Sequence, residues 1–343
     1  MEKIAFISGG TYIYWSSIIL ALAVLSAICF FTALYLKKGG SGLTLCVIVP
    51  ISAVVSLLLS RLIHWYCRAD AYESLQAALT DHSWGGYALM GVFFACILTA
   101  CVLWLLRIEK NLPRLLDCLA LAGGAGIAVG RFASVFNTSD RGLILPDSVG
   151  FPFASAVANA VSGVVENRLA TFMLQSMVTA LIVVVLAVYM FRCEKKQKPL
   201  RDGDICLLFL NAYGASQVIF DSTRYDSLFL RSNGFVSIVQ ILGAVALAVA
   251  VIIFSVRMVK NGGLKKYHFA IWVALAALLG GAGYMEYYVQ RHGDQAAFAY
   301  SIMGTCLVGI VAVTVLVRYL AIRQPKTEAE TGSDVSTSEN GTE

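Results

Sequence analysis

Two arginines in this 343-residue chain follow apolar segments, and polar side chains accompany each of them. Arg131 comes directly after the glycine-rich stretch GGAGIAVG at residues 123–130, and Ser134 and Asn137 follow it at intervals of three. A guanidinium group beside hydroxyl and amide groups is suited to hold a lipid phosphate through charge-assisted hydrogen bonds. Close packing of small residues would explain the glycines but not the arginine.

The second arginine belongs to the segment YGASQVIFDSTRYD at residues 213–226. Gln217, Asp221 and Arg224 are spaced at i, i+4 and i+7, which places them on one face of a helix. Such a face can belong to a polar site. Asp221 and Arg224 can also simply neutralise each other, because residues three apart in a helix are neighbours. Both interpretations remain open from the sequence.

Other polar residues are weaker candidates for a site. Arg61, His64 and Arg68 share one helical face, either as an anchor at the membrane interface or as part of a site. Gln240 lies in the apolar run SIVQILG, where an interhelical hydrogen bond would also account for it. His82, in the segment TDHSW, is either a base or a loop histidine without a chemical role.

The composition excludes a water-soluble protein. Hydrophobic residues make up 58% of the chain and charged residues 14%, whereas soluble domains have about 45–50% apolar and about 25% charged residues. A nucleic-acid-binding protein and a disordered chain are excluded on the same grounds. The nine cysteines lack metal-ligand spacing, and the sequence contains no nucleotide-binding loop, serine-hydrolase elbow or zinc-protease motif. We therefore expect neither a metal nor a cofactor.

The elements that position the candidate residues are predicted to be membrane helices, which makes the fold all-α and polytopic. A spanning helix needs about 20 apolar residues. Nine such runs lie near residues 13–36, 43–64, 85–106, 115–136, 169–191, 204–221, 235–256, 268–287 and 298–317. Every lysine except Lys3 lies in alternate connections or near the C-terminus, which predicts an outer N-terminus and an inner C-terminus.

This pattern predicts three parts of the chain. Residues 1–260 form a seven-helix membrane domain, residues 261–326 add two membrane helices, and residues 327–343 form an acidic, disordered tail. The two long outer loops, 65–84 and 137–168, are apolar enough to lie along the bilayer surface as an arm or short helix.

Several segments, in the same order, resemble the prolipoprotein diacylglyceryl transferase family of the bacterial inner membrane. GRFASVFNTSDRG is similar to the family signature, and YGASQVIFDSTRYD and SIVQILG resemble its later Tyr-Gly and Ser-x-Gly-Gln segments. WGGYALMGVF resembles the family's His-Gly-Gly-Leu-x-Gly stretch, and TYIYWSS, which contains Tyr14, resembles its first span. The resemblance covers residues 11–260.

The resemblance implies a function in lipoprotein biosynthesis. The family moves a diacylglyceryl group from phosphatidylglycerol to the lipobox cysteine of a prolipoprotein, forms a thioether and releases glycerol phosphate, without a cofactor. The partners implied are phosphatidylglycerol, prolipoprotein signal peptides and membrane lipid, and no nucleic acid. By the same resemblance, Arg131 and Arg224 hold the phosphate and Asp221 orients Arg224. The substrate-binding residues implied are Tyr14, Arg61, Ser134, Asn137, Gly142, Gln217 and Gln240.

The chain departs from the family pattern at some of these positions. Trp84 or Gly86 stands where the family has histidine, which leaves His82 and Tyr87 as candidates for the base. Gln217 replaces an arginine and so removes a cation from the expected phosphate pocket.

Three hypotheses follow from these departures. The first is a divergent, active transferase, although the signature's glutamate is replaced by Ser139, with Asp140 next to it. The second is a non-catalytic paralogue that binds an anionic phospholipid or a signal peptide. The third is a small-solute transporter built around a broken fourth span, but a second glycine-arginine break in register is missing from the sequence.

Overall fold

The structure is a computed structural model that describes residues 3–80, 86–158, 163–230 and 236–323. Within these ranges the chain forms ten α-helices. Their bounds are α1 Trp15–Lys37, α2 Gly42–Cys67, α3 Leu75–Thr80, α4 Leu89–Leu105, α5 Leu112–Gly130, α6 Thr171–Lys195, α7 Asp204–Thr223, α8 Ile238–Gly262, α9 Lys266–Arg291 and α10 Ala296–Arg323. Eight of them are long and apolar enough to cross a membrane, and α4 is a shorter apolar helix. The predicted all-α polytopic fold is confirmed, and each of the nine predicted runs corresponds to one helix.

Two small antiparallel hairpins accompany the helices. Strand β1 (Ile4–Ser8) pairs with β2 (Thr11–Tyr14), directly before α1. Strand β3 (Ala154–Ala158) pairs with β4 (Val165–Leu169), directly before α6. The second hairpin lies within the long 137–168 loop, and the 65–84 loop contains the short helix α3. The position of both loops at the bilayer surface and the orientation of the termini stay predictions.

The chain divides into two units, and the boundary lies inside α8 between Leu247 and Ala248. In the second unit α9 packs against α10, and Asn261 donates a 2.6 Å hydrogen bond to the backbone oxygen of Ala321. The division at residue 260 stays a prediction. The predicted tail lies outside the described residues.

In the first unit, a buried carboxylate on α5 holds the beginning of α7. The carboxylate of Asp117, on α5, accepts hydrogen bonds from the backbone N–H groups of Gly203 at 2.8 Å and Cys206 at 2.7 Å. These N–H groups belong to the first turn of α7 and its preceding residue, where no intrahelical partner exists. These hydrogen bonds fix the beginning of α7 to α5, and so limit how far the other ends of the two helices can move apart.

Two glycines of α5, Gly124 and Gly126, serve close helix packing, and the glycines of this segment do not break the helix. A Cβ at Gly126 would lie 2.9 Å from the Cβ of Ala27 on α1, and one at Gly124 would lie 2.6 Å from the ring of Phe209 on α7. The helix is continuous from Leu112 to Gly130, and a 3₁₀ turn, Arg131–Val135, follows it. The expectation of a broken fourth span is therefore wrong, because neighbouring helices use the space that the missing side chains leave.

We predict that the crossing of α7 and α8 tolerates no added methyl group. A Cβ at Gly214 would lie 2.6 Å from the backbone oxygen of Gly243. Gly214→Ala should destabilise the protein by about 1–3 kcal/mol, the usual cost of overpacking. The control is Gly123→Ala, where nothing lies within 4 Å of the added carbon. Thermal unfolding in detergent measures both variants, and equal melting temperatures would contradict the prediction.

Candidate functional site

The two arginines singled out from the sequence meet at the same end of two different helices. Arg131 begins the 3₁₀ turn after α5, and Arg224 is the residue at which α7 ends. Nη1 of Arg131 and Nη2 of Arg224 each lie 2.8 Å from the same atom, Oδ1 of Asp140. The two nitrogens are therefore separated by no more than the sum of these distances.

Asp140 is the residue that joins the two arginines. Its second carboxylate oxygen, Oδ2, accepts a 2.7 Å hydrogen bond from the hydroxyl of Ser134. Its backbone adopts a left-handed conformation with φ of 58°, which is uncommon for a residue other than glycine. Its N–H donates to Oδ2 of Asp226 at 2.9 Å, and Oδ1 of Asp226 accepts a 3.0 Å bond from Nε of Arg224. A closed network of charges results.

Asp221, on α7, and Gln240, on α8, support this network through further hydrogen bonds and an ion pair. Oδ1 of Asp221 lies 3.2 Å from Nη1 of Arg224, and its other oxygen accepts a hydrogen bond from the hydroxyl of Ser237. The side chain of Gln240 accepts a 2.9 Å bond from the N–H of Ser237 and donates a 3.2 Å bond to the backbone oxygen of Val218. Both buried side chains thus fix the start of α8 against the end of α7.

Gly142 and Arg141 shape the loop that carries Asp140. A Cβ at Gly142 would lie 2.6 Å from the hydroxyl oxygen of Thr171 and 3.0 Å from the backbone oxygen of Thr223, so the loop passes closely between α6 and α7. The buried guanidinium of Arg141 donates to the backbone oxygen of Asn137 at 2.6 Å. Asn137 thus takes part in this loop through its backbone oxygen, which accepts the hydrogen bond from Arg141. Asn137 itself is exposed to solvent.

Gln217 has a contact with α6. Its side-chain oxygen accepts a 3.2 Å hydrogen bond from the amide of Gln175, and both residues are buried. The amide that replaces the expected cation therefore takes part in packing between α6 and α7.

Arg61 organises a separate cluster at the end of α2. It is buried and donates to the backbone oxygens of Ala78 and, at 3.0 Å, Gly86. The rings of Tyr72 and Tyr87 lie over its guanidinium carbon, with centroids 5.1 and 5.3 Å away. A side chain at Gly86 would collide with Tyr72 and Arg61, so a histidine does not fit there. Arg61 thus anchors the connection between α2 and α4, and Tyr87 belongs to that cluster.

Of the two remaining predicted site residues, Tyr14 and His82, the structure describes only Tyr14. Tyr14 is half-exposed and pairs with Ile4 at the end of the first hairpin. The next residue, Trp15, stacks on Phe136 with centroids 6.1 Å apart, which brings the start of α1 to the turn after α5. His82, the other candidate for the base, lies outside the described residues.

The charges of the network shift the pKa of its members. Burial alone would raise the pKa of Asp140, but the guanidinium groups of Arg131 and Arg224 outweigh it and lower that pKa to about 2. Burial opposes the charge of Arg224 as well, but Asp140, Asp226 and Asp221 raise its pKa above the ordinary value. Asp140 is therefore ionised at neutral pH and takes the place of a bound anion.

Sequence reasoning missed part of this network. Asp140 was noted only as the neighbour of Ser139, and neither Asp226 nor Arg141 was singled out. The available signal was an acidic residue directly before Arg141 and another two residues after Arg224. The described residues contain no cluster of three or more histidine, cysteine, aspartate or glutamate side chains able to hold a metal ion.

Comparisons with known proteins point to the same family as the resemblance of these segments. The model of the prolipoprotein diacylglyceryl transferase family matches residues 3–254. A protein of Clostridium kluyveri called phosphatidylglycerol–prolipoprotein diacylglyceryl transferase is 25% identical over 260 residues, which cover 74% of this chain and 96% of that protein. The protein of the same name from a second strain of that species gives the same values.

We predict that Asp140 stabilises the protein above pH 4 and that acid removes the effect. A carboxyl group whose pKa falls from 3.8 to about 2 on folding stabilises the folded state by about 2 kcal/mol once it is ionised. This contribution is fully present above the unfolded pKa and is lost as the pH falls from about 4 to 2. Unfolding of the wild type and Asp140→Asn should therefore differ at pH 7 and converge near pH 2. A difference independent of pH would contradict the prediction.

Proposed function

The chain belongs to the prolipoprotein diacylglyceryl transferase family, and from that premise we propose that it transfers a diacylglyceryl group from phosphatidylglycerol to the lipobox cysteine of prolipoproteins. A multi-pass protein of the bacterial inner membrane meets both substrates there. The proposal assigns Arg131 and Arg224 to the lipid phosphate and Asp221 to the orientation of Arg224.

The observation that carries this proposal is the convergence of two guanidinium groups on one oxygen. A phosphodiester, like a carboxylate, distributes one negative charge over two free oxygens. A pair of guanidinium groups that binds the carboxylate of Asp140 therefore suits a phosphate as well. Nε of Arg131 is buried and has no hydrogen-bond partner among the described residues. An unpaired buried donor costs about 1–3 kcal/mol, and a phosphate oxygen would remove that cost.

The same geometry suits the reaction. The thiolate of the lipobox cysteine attacks the diacylglyceryl carbon bonded to the phosphate oxygen, a carbon–sulfur bond forms and the carbon–oxygen bond breaks. The electron pair stays on glycerol phosphate, so negative charge grows on the phosphate during the step. Guanidinium groups fixed beforehand stabilise that growing charge more than they stabilise the substrate, which lowers the barrier.

An open apolar cavity, lined in part by the first turns of α8, supports a lipid substrate. It has a volume of about 400 Å³ and lies between the ends of α2, α4 and α8, where Ile238 and Leu242 form part of its wall. Ile238 directly follows Ser237, whose hydroxyl donates to Asp221, the partner of Arg224. A cavity of this size is typical of small-ligand sites. Its apolar lining suits an acyl chain.

We predict that the fork of each guanidinium is required for transfer. Arg131→Lys and Arg224→Lys keep the charge but lose the planar, two-pronged donor arrangement, and each should lower the transfer rate about 100-fold or more. The matched control is Arg68→Lys, at an exposed arginine where α2 ends. Purified protein is mixed with phosphatidylglycerol vesicles and a lipobox peptide, and mass spectrometry detects the diacylglyceryl thioether.

The wild-type arm of this experiment separates the proposed transferase from the non-catalytic paralogue. Thioether formation by the wild type and the control, with little by the two site variants, supports the transferase. Phosphatidylglycerol binding that depends on Arg131 but leads to no thioether would contradict the transferase and favour the paralogue. Equal activity of all four proteins would contradict the assignment of the two arginines.

A further inference from the structure

Carboxylates already contact both members of the arginine pair. All three nitrogens of Arg224 face a carboxylate: Nη1 faces Asp221, Nη2 faces Asp140 and Nε faces Asp226, at 3.2, 2.8 and 3.0 Å. Arg131 shares Asp140 through Nη1. A lipid phosphate therefore reaches both arginines only if one carboxylate moves away.

Asp140 is the carboxylate whose departure opens the site. Asp221 is buried in α7 and accepts a hydrogen bond from Ser237. Among the described residues, Asp226 forms an ion pair with Arg224 but not with Arg131. Asp140 bridges both arginines, so its displacement frees one nitrogen of each guanidinium group at once. It lies on the loop between α5 and α6, where the N–H of Phe172, in α6, donates to its backbone oxygen at 3.1 Å, so the exchange needs only its side chain to rotate away.

We propose that Asp140 is an exchangeable counter-ion: the phosphate of phosphatidylglycerol displaces its carboxylate from both arginines, and the released carboxylate accepts the proton of the lipobox thiol. This inference rests on the proposed function. It also offers a base besides the two candidates that the sequence left open, His82 and Tyr87.

The electrostatics of the site make the two roles compatible. While the carboxylate bridges the arginines, its pKa is about 2 and it is a very weak base. After exchange the phosphate neutralises the guanidinium groups, and burial, which raises the pKa of a carboxyl group, becomes the dominant influence. The titratable and charged groups that face Asp140 from the surrounding elements are Arg131, Arg141, Tyr213, Arg224 and Asp226, and Asp221 contacts Arg224 on its other side.

The proton and the electron pairs balance over one cycle. Asp140 takes the proton from sulfur, the thiolate forms the carbon–sulfur bond, and the carbon–oxygen pair stays on the leaving glycerol phosphate. Asp140 then gives the proton to a phosphate oxygen of that product. The regenerated carboxylate returns to the arginines and competes with the product for them, which favours release.

The test compares Asp140→Asn, Asp140→Glu and the wild type, with Asp147→Asn as the control at an exposed aspartate of the same loop. Two quantities are measured: binding to vesicles of phosphatidylglycerol in phosphatidylcholine, and thioether formation with a lipobox peptide from pH 6 to 10. The amide of Asp140→Asn cannot compete as an anion, so phosphatidylglycerol binding should tighten about tenfold.

The pH profile identifies the proton acceptor. At pH 7, Asp140→Asn should transfer about 100-fold more slowly, the usual contribution of a positioned base. Its rate should recover toward the wild-type rate above pH 9, where a free thiol with a pKa of about 8.5 ionises without help. Asp140→Glu should retain much of the activity at pH 7, and Asp147→Asn all of it.

Other outcomes would overturn the inference. Phosphatidylglycerol binding by Asp140→Asn no tighter than that of the wild type would exclude exchange. Full transfer at pH 7, or an equal loss at every pH, would exclude the base. A wild type that transfers nothing at any pH would contradict the proposed function itself, and the wild-type arm makes that failure distinct.

Discussion

The site depends on how two positive charges are held together where little water reaches them. Two cations about 5 Å apart repel each other by about 3 kcal/mol at an effective dielectric constant of about 20. The side chains of Arg131 and Arg224 are only 13% and 12% exposed, so solvent screens them poorly. Asp140, Asp221 and Asp226 compensate both charges. Any anionic ligand at this place must substitute for part of that compensation.

The rest of the first unit maintains this arrangement. Asp117 ties the beginning of α7 to α5, while the missing side chain of Gly142 lets the Asp140 loop pass between α6 and α7. Arg141 holds the same loop through backbone oxygens. The cations therefore lie at the ends of α5 and α7, and a loop carries the anion that bridges them. This division of roles is what an exchange of anions needs, because the cations stay in place while their partner moves.

The sequence predicted the helices well because long apolar runs leave few alternatives in a membrane. It also predicted that Arg131 and Arg224 belong together, through the resemblance of two segments about ninety residues apart. It could not reveal the bridging role of Asp140, which depends on a left-handed backbone and on partners distant in the chain. Of the two explanations that the sequence offers for the glycines before Arg131, close packing holds and the break is wrong, and the sequence cannot choose between them because packing partners such as Ala27 lie on other helices.

The central claim is that the two guanidinium groups grip a phospholipid phosphate in place of Asp140. A cryo-electron microscopy structure of the protein in phosphatidylglycerol nanodiscs tests it most directly. The account predicts density for a phosphate in contact with Arg131 and Arg224, with the carboxylate of Asp140 displaced from both. Lipid phosphates bound elsewhere, with Asp140 still bridging the two arginines in the presence of saturating phosphatidylglycerol, would contradict it.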